Sequence, residues 1–348
     1  MSKKVFVGLS GGVDSSVTAA LLKEQGYDVT GVYMKNWTKD MPGFECPWKE
    51  DYQDAKRVAV QLGIDFRVYD FEKQYRQKVV DYMVKEYQAG RTPNPDIMCN
   101  QEVKFKLFLE TALEDGADLI ATGHYARIEK KDGVARLKVA KNIDKDQTYF
   151  LYRVSQEALV SSLMPIGEFT TKAEVREVAE RFGLVTATKK DSQGICFVGK
   201  VGIKEFLLAE LGPQKPGNII DERGQIIGEH DGALYYTIGQ RHGLNVGGGL
   251  PYYVSAKDVK KNEVYVTSDL QNKQLWNKEI KLSDSHWINQ SPKKSKSYKV
   301  RNRYRAPLVE CSINNLTISL KDDIRAVTPG QSAVVYDGDF VLGGGIIA

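Results

Sequence analysis

Val5-Phe6-Val7-Gly8-Leu9 followed by Ser10-Gly11-Gly12-Val13-Asp14-Ser15-Ser16 is the stretch that decides the fold. The apolar run reads as a short buried strand. Beyond it Val17, Ala20, Leu21 and Glu24 recur at helical spacing, so the stretch is a strand–loop–helix turn. Gly11 and Gly12 let the backbone turn tightly and approach a ligand closely. Asp14, Ser15 and Ser16 fall in the first helical turn, where short polar side chains are expected to cap free N–H groups. Backbone N–H groups and the helix dipole then converge on one spot that suits a phosphate or pyrophosphate. There is no GxxxxGK[ST], so this is not a Walker A loop.

Working outward, strands and helices alternate. Asp28 to Met34 reads as a second strand, about Glu50 to Leu62 as a helix, and Asp65 to Asp70 as a third strand. Glu72 to Ala89 and Val103 to Glu114 follow as helices, and Asp118 to Thr122 as a fourth strand. This pattern predicts an α/β fold, a doubly wound parallel sheet covered on both faces. In such sheets ligands sit at the carboxyl ends of the strands. The Ser10 loop, Met34 and the Gly123-His124-Tyr125 turn are therefore expected at one edge. Ala126 to Lys141 alternates around Asp132-Gly133, a hairpin signal. Helices are expected at Gln156–Leu163, Ala173–Phe182 and Ile203–Leu211.

From Pro213 onward short alternating strands and glycine turns replace helical periodicity, pointing to two small all-β domains, the last a β-barrel. The predicted units are 1–208, 209–275 and 276–348. A chain of 348 residues exceeds the usual ~100–200 residues per domain, in keeping with this division. At 42% hydrophobic and 27% charged the composition is that of a globular protein. No signal peptide, transit peptide or membrane-spanning run is evident, so the expectation is a cytoplasmic protein with no membrane partner.

The four cysteines, Cys46, Cys99, Cys196 and Cys311, are far apart and form no CxxC pair, which argues against a zinc site. Structural disulfides are not expected in a reducing compartment. Cys99 follows Asn94-Pro95-Asp96-Ile97-Met98, a rigid approach to a helix, where a thiol either is inertly buried or has a depressed pKa. Asp96, three residues earlier, could move a proton. Cys196 lies in the polar loop Lys189-Lys190-Asp191-Ser192-Gln193-Gly194-Ile195-Cys196-Phe197. Two loop cysteines beside a nucleotide loop allow sulfur transfer through a mixed disulfide. An iron–sulfur cluster typically needs four cysteine ligands, and only two are well placed here. Cys311 sits in an alternating strand and reads as core.

The strings SGGVDSS, MKNW, GRTPNPDIMCN, ATGHYA, KDQTYFLY, KKDSQGICF, TIGQRHGL, RYRAP and VTPGQSAVVYDGD occur in this order. Together they resemble the tRNA-specific 2-thiouridylases, within the N-type ATP pyrophosphatases (the PP-loop superfamily), over essentially the whole chain. The resemblance implies that Gly8, Leu9, Ser10, Gly11, Gly12, Val13, Asp14, Ser15, Met34 and Gly123 contact ATP. It implies that Asn94, Pro95 and Asp96 contact the target base, and that His124, Lys145, Asp146, Gln147, Arg303, Tyr304, Arg305 and Gln331 contact tRNA. It further implies a reaction: ATP adenylates the 2-carbonyl oxygen of the wobble uridine in tRNAs for Lys, Glu and Gln. A persulfide on Cys196 supplies the sulfur, with Cys99 as nucleophile and Asp96 as acid/base candidate. The sulfur would come from a cysteine desulfurase or a relay protein. Mg²⁺ is expected with ATP, and no dedicated protein metal site.

The local charge agrees with an RNA partner better than the net charge of +4 does. Pro292 to Arg305 carries seven cations and no acid. If Lys299 to Arg305 is a strand, Lys299, Arg301, Arg303 and Arg305 share one face, and a phosphate track results. Such a run is otherwise a solvated face. Two rival readings remain: a ligase of the ATP pyrophosphatase type acting on a small molecule, and a non-catalytic RNA-binding protein that retains ATP binding.

Overall fold

The computed structural model describes residues 2–41, 45–190, 202–244, 246–247 and 251–348. Cys196 and its neighbours 191–201 lie outside the described residues.

The first sheet has five parallel strands in the order β3-β2-β1-β4-β7: β1 Lys4–Gly8, β2 Asp28–Lys35, β3 Asp65–Asp70, β4 Leu119–Ala121 and β7 Ser162–Leu163. β1 and β2 are nearly continuous apolar runs because helices cover both faces, as parallel sheets require. On one face Val17, Ala20 and Leu22 pack with Val5, Val7 and Ala55; on the other Phe6, Val32 and Met34 pack with Phe105 and Phe108. The order is that of a doubly wound fold, as expected from the alternation. Three differences are local. The predicted helix to Leu163 stops at Val160, and the two-residue β7 joins the sheet edge. The helices at 72–88 and 95–114 each contain a π-helical middle, Arg76–Val80 and Asn100–Leu107. The second of these begins at Pro95 rather than Val103, because Asn94 caps it and Pro95 takes the first helical position, where its missing N–H costs nothing.

The middle of the chain forms a four-stranded sheet, β10-β11-β8-β9, from β8 Gly217–Ile220, β9 Ile226–His230, β10 Tyr253–Asp258 and β11 Glu263–Thr267. Residue 208 falls inside the helix Ile203–Leu211, which is tied to the first part by the Arg76–Glu210 ion pair at 2.6 Å. The last part is a closed six-stranded antiparallel barrel, because β12 Trp276–Trp287 pairs with both β15 Thr317–Arg325 and β17 Phe340–Ile347. β14 Val309–Asn314, β13 Tyr298–Arg301 and β16 Ser332–Asp337 complete it. Ile280, Val300, Cys311, Ile313 and Val335 fill its core, so Cys311 is a packing residue whose burial pushes the thiol up to about 12. The hairpin β5 Ala126–Lys131 and β6 Val134–Val139 extends this barrel sheet rather than standing alone. Lys138 pairs with Phe340, and the Arg136 guanidinium lies 3.4 Å from the Phe340 ring centre.

Candidate active site

The Ser10 loop leaves β1 at the sheet's carboxyl edge. Gly11 has φ +74°, and a Cβ there would collide with the Asp51 carbonyl. The helix Val13–Glu24 begins at Gly12 with no side-chain cap. This corrects the expected role of the polar residues. Ser15 and Ser16 turn back on the Gly12 carbonyl at 3.1 and 2.8 Å, and Ser15 Oγ accepts the Ser10 N–H at 3.1 Å. The side chains therefore shape the loop, while the N–H groups of the first turn keep their capacity for an anion.

Neighbouring strand ends close around this loop. A Cβ on Gly8 would stand 2.9 Å from Met34 Cε, and one on Gly123 would stand 2.6 Å from Ser15 N. Gly8, Met34, Gly123 and Ser15 thus meet, as the fold predicts. Leu9 and Val13 are buried behind them.

Asp14 is already engaged. Lys172 Nζ lies 2.7 and 2.8 Å from its two oxygens, and the Tyr125 hydroxyl donates to Oδ1 at 2.9 Å. Lys172 opens the helix Lys172–Arg181 behind the Thr171 cap. The sequence places Tyr125 at this edge only as part of the Gly123-His124-Tyr125 turn and gives no signal for Lys172. The capping box Thr171–Glu174 marks the helix start, but nothing local shows that Lys172 reaches Asp14. Among the described residues no group of three His, Cys, Asp or Glu could hold a metal ion.

The second element is the 95–114 helix. Asn94 Oδ1 accepts from the N–H groups of Asp96 and Ile97 at 3.1 and 3.3 Å, so that oxygen serves as a cap. Asp96 and Cys99 are three residues apart and share one helix face. Asp96 is half-buried and Cys99 is fully buried in the core that holds Met34, Phe71 and Phe105. His124 joins the two elements. It follows Gly123, packs 5.6 Å from the Phe105 ring, and places Nε2 3.5 Å from Lys104 Nζ. Burial first, and the Lys104 charge second, hold the imidazole well below its usual pKa, so it is neutral. Lys189, at the foot of the Cys196 segment, reaches Asp51 and Asp54 at 2.9 and 2.6 Å, beside Gly11.

The residues expected on RNA divide into two groups. Asp146 is 3% exposed; it accepts from Ala140 N–H at 3.0 Å and Thr148 Oγ1 at 2.7 Å, and burial raises its pKa. Gln147 accepts the Tyr125 N–H at 2.9 Å. Gln331 donates its amide to the Thr92 carbonyl at 2.9 Å. These side chains bond within the protein. Arg303 and Arg305 are exposed, and Lys145 and Tyr304 half-exposed. The predicted strand face is corrected: β13 stops at Arg301, Asn302 is buried, and Arg305 takes φ +60°. Arg301 is half-buried, with its guanidinium 5.3 Å from the Tyr336 ring. Lys299 stays exposed on the strand, and beyond it stand Arg303 and an aromatic step, in which Tyr304 lies 4.5 Å from Phe150 and Arg305 stacks at 5.1 Å on Tyr304. Asn100, next to Cys99, donates to the Phe150 carbonyl at 3.0 Å and so ties this step to the 95–114 helix.

Fold and site together define a class: an α/β domain with an anion loop after its first strand, a thiol-bearing helix along the same edge, and two β modules behind it. Three family models match in succession. They are a tRNA methyl transferase HUP domain over residues 3–200, a tRNA methyl transferase PRC-barrel domain over 204–268 and an aminomethyltransferase beta-barrel domain over 277–347. The tRNA-specific 2-thiouridylase MnmA of Geobacillus thermodenitrificans (strain NG80-2) is 48% identical over 351 residues, covering 99% of this chain and 94% of that protein. The protein of the same name from Bacillus subtilis (strain 168) is 47% identical over 353 residues, with the same coverage. A 4-thiouridine synthetase–RNA complex with bound ATP matches at a TM-score of 0.39 and 20% identity, covering 57% of this chain and 46% of that one. The chain belongs to the tRNA-specific 2-thiouridylase family, whose members are tRNA sulfurtransferases.

Proposed function

We propose that this protein thiolates the wobble uridine, position 34, of tRNAs for Lys, Glu and Gln at C2, using ATP. The observation that carries the reading is the turn Thr122–Tyr125. It backs the anion loop through Gly123 and the thiol-bearing helix through His124, so an activated base and a sulfur nucleophile have one place to meet.

In this reading the Ser10–Ser15 backbone holds the ATP phosphates, with Gly8, Leu9, Met34 and Gly123 lining the nucleotide. Asp14 is the loop's own carboxylate, and Lys172 neutralises it beside the polyphosphate. Mg²⁺ would ride on the phosphates, since it commonly uses few protein ligands. Arg303, Arg305, Lys145 and Tyr304 face RNA, while His124, Asp146 and Gln147 hold the backbone behind them. The base leaves the anticodon stack, as base-modifying enzymes require. Asn94 Nδ2, Pro95 and Asp96 then meet its edge, and Asp96 exchanges the proton.

Uridine O2 attacks the α-phosphate, and pyrophosphate leaves. The terminal sulfur of a Cys196 persulfide then attacks C2 and displaces AMP. The Cys99 thiolate attacks the Cys196 sulfur, freeing the thiocarbonyl and forming a Cys99–Cys196 disulfide. The alternative order lets Cys99 first release hydrosulfide, with the same disulfide as product. Either way an external thiol must reduce the disulfide before the next turnover, and a persulfide donor such as a cysteine desulfurase or a relay protein must reload Cys196. We assign 1–208 to catalysis, 209–275 to a small central β-rich domain and 276–348 to a barrel that contacts RNA.

The test is tRNA-dependent release of AMP and pyrophosphate together with 2-thiouridine in the digested tRNA. AMP release with a small acceptor and without tRNA would instead assign a small-molecule ligase. ATP binding with no AMP release on tRNA would assign a non-catalytic RNA-binding protein.

A further inference from the structure

The barrel meets the catalytic part at several places, among them Tyr149 with Ser332 and Arg153 with Asp284, and at the Thr92 segment the contacts are dense. The Thr92 N–H donates to the Pro329 carbonyl at 2.8 Å. Gln331 Nε2 donates to the Thr92 carbonyl at 2.9 Å and lies 3.4 Å from the Pro93 carbonyl. Between them Gly330 has φ +89°, and a Cβ there would stand 2.8 Å from Thr92 N. The 329–331 loop is itself fixed by the last strand: Gly330 N–H donates to Ile347 O at 2.9 Å, and Ile347 N–H to Gln331 O at 2.8 Å. The central module adds the Thr237 hydroxyl, 3.3 Å from that of Thr92. All three parts of the chain therefore converge on Thr92, which is 6% exposed.

Thr92 is two residues from the helix cap. Pro93 and Pro95 have no N–H to donate, so the segment between them has few backbone bonds of its own. Asn94 follows and caps the helix that carries Asp96 and Cys99.

We infer that Gln331 is a positioning residue. With the Pro329–Gly330 backbone it fixes the entry of the 95–114 helix, and so sets where Asp96 and Cys99 stand. What Asp96 and Cys99 do rests on the proposed function; the strut itself does not. The resemblance implies an RNA contact for Gln331, but its amide nitrogen is directed inward at two carbonyls. The barrel is then a structural wall of the site as well as a surface for RNA.

The experiment uses the full chain as Gln331→Ala, Gln331→Glu and Gly330→Ala. Gln331→Glu keeps the shape but turns an acceptor toward two carbonyls. Three quantities are measured: tRNA affinity by filter binding, kcat for thiolation at saturating ATP and tRNA, and hydrogen exchange of the 92–99 peptide without ligands. The strut predicts a kcat lower by about ten- to a hundred-fold, the range expected when catalytic groups shift by up to ~1 Å. It also predicts tRNA affinity within about two-fold, because no cation is removed, and faster exchange over 92–99 with the barrel peptides outside 329–331 unchanged. A fall in tRNA affinity with kcat preserved would overturn the inference and return Gln331 to the RNA surface. Unchanged exchange over 92–99 would overturn it as well. If the wild type itself shows no thiolation, the proposed function fails and the exchange arm alone decides the strut.

Discussion

Gly123→Ala is the perturbation whose magnitude the structure fixes best. The added Cβ would lie 2.6 Å from Ser15 N, 2.7 Å from Asp14 C and 3.0 Å from Asp14 O. Ordinary contact begins at 3.4 Å, so the approach must open by 3.4 − 2.6 = 0.8 Å. All three neighbours are backbone of the first helical turn and cannot rotate aside. Ser15 is further held by its hydroxyl bonds to Ser10 N–H and Gly12 O, so the whole loop must move. Overpacking of this kind costs about 1–3 kcal/mol of stability. The larger effect falls on the nucleotide, because the displaced N–H groups are those proposed to meet phosphate. A displacement near 1 Å costs on the order of a hundred-fold. The assay is thermal melting with and without ATP·Mg²⁺. The wild type gains RT ln(1 + [L]/Kd), which is about 2.7 kcal/mol at a hundred times Kd and falls below about 0.5 kcal/mol if Kd rises a hundred-fold. Gly123→Ala is expected to lose nearly all of that shift while tRNA affinity holds. A variant that kept the full ATP-induced shift would refute the argument that Gly123 allows the close approach.

Three further outcomes follow from named contacts. Lys172→Gln leaves the Asp14 carboxylate uncompensated beside the proposed phosphate site and should raise KM for ATP about ten-fold, with partial recovery in Lys172→Arg; an unchanged KM would show that the pair does not bear on ATP. His124 is held neutral in the fold, so below its ordinary value of 6.5 the unfolded chain binds the proton first. Its contribution is complete above that pH and is lost as pH falls, by up to about 1.4 kcal/mol per unit; urea unfolding should show a shallower acid loss for His124→Gln, and equal slopes would contradict the burial argument. Arg303→Glu and Arg305→Glu should each weaken tRNA binding and lower the salt slope by about 1, read from binding across a salt series, whereas a slope equal to the wild type's would remove that residue from the RNA surface.

The parallel sheet was legible because its signals are local. Apolar runs and helical spacings placed β1 to β4 within a residue or two, and Asp65–Asp70 at its observed bounds. The start of the 95–114 helix is also written in the chain, since Asn followed by Pro is a cap and a first-turn residue, although the paired prolines by themselves indicate only a rigid approach to a helix. β7 escaped because two residues carry no periodicity. The basic strand was overextended because alternation in charge says nothing of where pairing ends, and it ends where Arg301 turns onto Tyr336 and Arg305 enters positive φ. The contacts that join the parts could not be read at all. Lys172 with Asp14, Gln331 with Thr92 and Lys138 with Phe340 are separated by more than a hundred residues, and only the packed fold brings them together.

The most direct test of the central claim is a single-turnover reaction of the protein with ATP·Mg²⁺, a persulfide-generating desulfurase and unmodified tRNA-Lys, with the nucleosides analysed by mass. Wild type, Cys99→Ser and Cys196→Ser are run side by side. The account predicts 2-thiouridine at position 34 from the wild type alone. Equal 2-thiouridine from Cys99→Ser would contradict it, leaving the buried Cys99 as a packing residue and placing the sulfur chemistry elsewhere.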